Sequence, residues 1–270
     1  MSRTDTLAEA ARCILLCRTA TEKAEKASAL QTAWQAGGFR SIGRMKAPAR
    51  PGRPEKPKLC PAREVPRRRI SRDPQGRIAL LHALAHIELN AIDLAADILI
   101  RFPEEEMPSS FHEDWVKVCA EEGKHFLALN KRLGELEANY GDLPAHDGLW
   151  QAAIETQNDL LVRLAVVPLV LEARGLDVTP AMIEKLEAVG DTKSAAVLRV
   201  IYQDEIGHVA IGKRWFDYLA KKRHLKGPDA WQKAVKDHYR GALKRPFNFD
   251  ARKEAGFDPS FYEPLADVSD

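Results

Sequence analysis

An all-α fold built around a four-helix bundle is the expectation for this chain, and three observations carry it. Strand-type alternation persists nowhere along the 270 residues. Four long stretches repeat apolar residues at helical spacing. Each of these stretches also carries a glutamate on its apolar stripe, in a pattern written twice. Glu88 is followed 34 residues later by Glu122-Gly-Lys-His125, and Glu172 is followed 33 residues later by Glu205-Ile-Gly-His208.

The elements follow in order. Residues 4–37 have helix-forming composition and end at Gly37-Gly38, which predicts a helix or helix pair. Residues 40–73 hold Pro48, Pro51, Pro54, Pro57, Pro61 and Pro66. Proline removes a backbone donor and fixes φ, so this stretch is expected to be an extended strap. The first core helix is expected over about 75–102, stopping before Pro103. The second runs over about 109–140, with Ser109 or Ser110 as its cap and Gly141 at its end. The third spans about 147–175, ending at Gly175, and a short helix opens near Thr179-Pro180 and closes at Gly190. The fourth covers about 191–223, one more helix lies near 228–243, and the tail beyond has little helical pattern. Three segments result: residues 1–73 as helix plus basic strap, 74–223 as the bundle, and 224–270 as C-terminal helix and extended tail.

Composition excludes several classes. Hydrophobic residues make up 45% and charged residues 30%, as in an ordinary globular domain. No apolar run reaches eighteen residues, so no membrane span is expected. The opening residues show no secretory leader, which makes a cytoplasmic location the expectation. Cys13, Cys17, Cys60 and Cys119 lack zinc-type pairing and read as free thiols. The net charge of +2 conceals an asymmetry. Residues 1–72 carry 17 basic against 6 acidic side chains, and the remainder 24 against 33. The strap therefore either neutralises the acidic body or reaches for a polyanion.

Helical phase tests whether the glutamates face inward. At 100° per residue, Leu81, Leu84, Ala85, Ala91, Ile92, Ala95 and Leu99 surround Glu88. Trp115, Val118, Phe126, Leu129 and Leu133 surround Glu122; Leu161, Ala165 and Leu169 surround Glu172; Leu198, Ile201, Val209 and Phe216 surround Glu205. Burying four carboxylates together is prohibitive without cations. Within each Glu-x-x-His, the two side chains lie about 60° apart around the helix and about 4.5 Å apart along it, so both reach one axis. A single such motif reads as an exposed helix pair. Two copies, each with an inward glutamate upstream, read as a pair of divalent ions held by Glu88, Glu122, His125, Glu172, Glu205 and His208. Mixed carboxylate and imidazole ligation suits iron first and manganese second.

Other residues border this pattern. Cys119 and Tyr202 each lie three positions before a motif glutamate and are candidates for catalytic residues near the site, against core packing. Glu121 and Asp204 are placed to orient the imidazoles or to lie on a solvated face. Pro168 frees the carbonyl of Leu164 and is expected to kink its helix. His82, His86, Asp93 and Asp97 fall opposite Glu88 and are read as polar contacts with the strap or tail.

The segments His82–Leu94, Glu121–Phe126, Leu171–Asp177 and Asp204–Val209 together resemble the bacterial domain-of-unknown-function family 455, over nearly the whole chain. That resemblance implies the ferritin-like superfamily and a di-iron-type bundle with ligands on the same six positions. It implies no substrate. A more distant similarity runs to the ferritin-like tRNA hydroxylases. The resulting expectation is an O2- or peroxide-dependent oxidoreductase, a hydroxylase or oxidase whose substrate the sequence does not assign, with a small molecule or O2 as its partner. The alternatives are a non-enzymatic iron- or manganese-binding protein, and a tRNA-modifying hydroxylase using Arg67, Arg68, Arg69 and Arg72 as phosphate contacts.

Overall fold

The structure is a computed structural model that describes residues 5–66 and 68–266. Among the described residues every regular element is helical, and extended segments meet only in isolated bridges. No helix among them is long and apolar enough to cross a membrane. The chain forms two compact units, one running to Trp150 and including Val189–Lys193, the other comprising Gln151–Ala188 and the chain from Ser194 onward.

In the first unit, α1 (Leu7–Leu16) opens on a capping box: Glu9 N donates to Thr6 Oγ1, and the Glu9 carboxylate accepts from Thr6 N. Helix α2 (Ala20–Gln35) completes the expected pair. Helix α3 (Pro74–Arg101) starts at Asp73, whose side chain accepts from Gln75 N, with Pro74 in the first turn. Helix α4 (Ser109–Glu135) packs along α3, while α1 packs on α3 and α2 on α4. Its cap is Pro108, not Ser109 or Ser110, and no side chain bonds the first turn. From Leu80 to Ile100, α3 is buried on almost every side, because α1, α2, α4 and the strap cover it.

The strap is extended, apart from one turn at Ala62–Glu64, and it is tied down within its own unit. Trp150 Nε1 donates to Ala49 O at 3.3 Å, Arg101 to Pro48 O at 2.8 Å, and residues 58–60 pair with Ala145 through backbone bonds. Arg50 and Arg53 both meet Asp147, and Arg44 meets Glu104.

In the second unit the third core helix departs from expectation. Helix α5 (Gly148–Glu155) is separate, since Asp159 caps a new start through Leu161 N at 2.8 Å. Helix α6 (Leu160–Val166) then passes through a π-helical segment, Val167–Glu172, into α7 (Ala173–Ala188). Gly175 ends nothing, and Pro180 lies inside α7 instead of opening a helix. Proline 180 frees the carbonyl of Leu176, and Asn248 Nδ2 donates to it at 3.1 Å. An outside donor lets the helix continue. Helix α8 (Thr192–Lys222) follows, then α9 (Gly227–His238). The tail is not wholly extended: α10 (Phe249–Glu254) and α11 (Pro259–Tyr262) pack on α7 and α9.

Candidate metal centre

In the first unit Glu88 projects from α3 and Glu122 and His125 from α4. All three are buried, and their ligand atoms lie within 4.8 Å of one another. His125 Nδ1 stands 3.2 Å from Glu88 Oε2 and 3.4 Å from Glu122 Oε2. Loss of water and the charge of Glu122 push the Glu88 carboxyl well above the usual range, with His125 pulling it back. The spacer Gly123 is required by packing: a Cβ there would lie 2.6 Å from the Ala24 carbonyl oxygen and 2.8 Å from Ser28 Oγ. Helix α2 therefore lies directly over the motif. This group of carboxylates and imidazole fits a divalent cation, which would compensate charge that the apolar surroundings cannot.

The second unit carries the other copy. Glu172 is the last residue of the π-helical segment, and His208 is buried on α8 with Nδ1 3.6 Å from Glu205 Oε1. Both of these glutamates are only half-buried. A π-bulge widens one turn and re-aims the side chains that follow it. Pro168 is its cause in sequence, and the neighbours accommodate it. A Cβ on Gly212 would sit 2.3 Å from Pro168 Cβ, so α8 approaches the bulge only because residue 212 is glycine. Trp231 Nε1 donates to Ala165 O at 3.0 Å, taking up a carbonyl beside the bulge.

The bordering residues are placed as follows. Cys119 is buried, with Sγ 4.0 Å from Ile92 O, and burial with nearby Glu122 and Asp93 pushes its thiol up, so it stays protonated. Tyr202 is half-buried and its hydroxyl accepts from Asn248 Nδ2 at 2.9 Å. Glu121 pairs with Lys117 at 2.7 Å. His86 bonds Tyr140 OH at 2.8 Å and His146 O at 3.0 Å, and His82 Nε2 accepts from Gly141 N. Both histidines thus meet the loop after α4 rather than the strap or tail. Asp93 does meet the strap, through Arg53, and also pairs with Lys23, a lysine that pattern reading passed over. The signal for Lys23 was indirect: an aspartate in an apolar helix demands a cation. Arg67 lies outside the described residues.

A family model for proteins of unknown function, DUF455, matches residues 16–263. The chain belongs to DUF455. A protein of Haemophilus influenzae that carries the name "Uncharacterized protein" is 43% identical over 209 residues, covering 76% of this chain and 72% of its own length. No solved structure matches the chain. For DUF455 the chemistry must therefore be argued from the residues themselves.

Proposed function

We propose that the chain is a ferritin-like four-helix-bundle protein holding two divalent metal ions, iron first and manganese second, and that it acts as an O2- or peroxide-dependent oxidoreductase on a small molecule. The single observation behind this is the buried convergence of Glu88, Glu122 and His125, in a motif the sequence repeats as Glu172, Glu205 and His208. In this reading both copies face one centre, giving four carboxylates and two imidazoles. Bound there, a ferrous pair would supply the electrons that reduce dioxygen or peroxide. The protein's part is to neutralise the pair with carboxylates, fix the imidazoles and exclude water with the apolar residues of α3 and α4.

The test is anaerobic Fe(II) loading followed by oxygen, with metal counted by elemental analysis and the centre watched by optical and Mössbauer spectroscopy. We expect about two metals per chain and rapid oxidation. A folded protein that takes up no metal would sink the assignment; a loaded centre inert to oxygen and peroxide would leave a metal-binding protein without oxidase chemistry. For a nucleic-acid substrate, Arg44, Arg50 and Arg53 are already engaged with acidic groups, so phosphate contacts would fall to the exposed Arg68, Arg69 and Arg72.

A further inference from the structure

A cleft of about 250 Å3 opens in the second unit, between the start of α7 and the segment that follows α9. Val170 and Arg174, which flank Glu172 by two residues on either side, form one wall. Tyr239, Lys244 and Phe247 belong to the other. Its floor is fixed: Arg252 is buried, donates to both Asp177 oxygens at 2.8 Å and lies over the Phe247 and Tyr262 rings. That pair is neutral as a unit. What remains in the cleft is positive and rich in donors.

Arg174 spends only Nη1, on Lys244 O at 2.7 Å and Pro246 O at 3.2 Å, with Asp177 at 3.5 Å. Its Nε and Nη2 make no bond among the described residues. Lys244 is exposed and its ammonium has no carboxylate within reach among them. The Tyr239 hydroxyl stands beside Gly241, where a Cβ would come within 2.4 Å of it; the chain therefore bends tightly around this phenol. Arg174, Lys244 and Tyr239 line one space smaller than a drug-sized pocket and bring to it a guanidinium edge, an ammonium and a hydroxyl. That is the donor set for one oxyanion, a carboxylate or a phosphate.

We propose that this cleft binds the anionic group of a small molecule, with Arg174, Lys244 and Tyr239 as its receivers. The ligand class is then a small organic acid or phosphate ester.

The test is calorimetric titration of the full chain, before any metal is added, with inorganic phosphate and separately with succinate. Saturable one-to-one binding of either anion is expected, weakened about tenfold or more by Lys244→Gln, which removes the ammonium charge, and by Tyr239→Phe, which removes the hydroxyl. Affinity should also fall with added sodium chloride. Preference for phosphate assigns a phosphate ester, and preference for succinate a carboxylic acid. Binding of neither anion, or binding that both variants leave unchanged while circular dichroism shows them folded, overturns the proposal. Binding without any metal uptake would keep the cleft and remove the metal centre. Metal uptake without anion binding would do the reverse.

Discussion

The two copies of Glu-x-x-His are alike in spacing and unlike in how they are held. In the first, the ligands leave two regular helices, and Gly123 brings the backbone of α2 against α4. In the second, one glutamate ends a π-helical segment, and Gly212 brings α8 against a proline side chain. The first copy is sealed and set in backbone; the second is half-open and set by side chains that can be changed.

The largest effect that probes this contrast is on metal content. Under the proposed two-ion centre, Glu122→Ala, in the sealed copy, should reduce the metal count to about zero, whereas Glu172→Ala should retain about one ion. Equal losses in elemental analysis would erase the distinction between the copies.

Acid should act on the first copy's side. Burial holds His86 near a pKa of about 4, against about 6.5 when unfolded. As pH falls, the unfolded chain takes up this proton first. The stability contributed by neutral His86 is therefore full above about pH 6.5, declines below it, and is spent below about 4. The loss is up to about 3 kcal/mol, readable in urea melts across that range, and His86→Gln should flatten it.

The two glycines offer a cycle at about 1–3 kcal/mol each. Gly123→Ala meets a main-chain carbonyl, so Ser28→Ala should relieve little of its cost. Gly212→Ala meets Pro168 Cβ, an atom that alanine at 168 would keep, so Pro168→Gly should restore most of the loss. Additive melting temperatures for the 212/168 pair would break the claim that this wall is set by side chains. The smallest effect, about 1 kcal/mol, is expected for Trp231→Phe, which leaves the Ala165 carbonyl without its indole donor.

Much of this is legible in the amino-acid sequence. Inward phase found Glu88, Glu122 and His125, because a carboxylate on an apolar stripe has few explanations. Pro168 announced a disturbed helix. The continuation of α7 through Pro180 was not legible, because the donor that replaces the missing bond comes from Asn248, 68 positions later. Gly175 misled for a related reason: glycine ends a helix only where nothing else packs to prolong it. The donor-rich cleft was invisible too, since Arg174, Tyr239 and Lys244 share no spacing rule and meet only through the fold.

Lys23 lies wholly buried at the meeting of three stretches of chain. Its ammonium donates to Leu15 O at 3.4 Å and Gly52 O at 2.8 Å, and it pairs with Asp93 on α3. It is a rivet without covalent bonds. Lys23→Met would keep Asp93 in the apolar interior while removing one of the two cations near it among the described residues, Lys23 and Arg53. A buried charge stripped of its partner costs about 3–5 kcal/mol, a large share of a domain's whole margin. Lys23 and Arg53 thus tie α2 and the strap to the helix that carries Glu88.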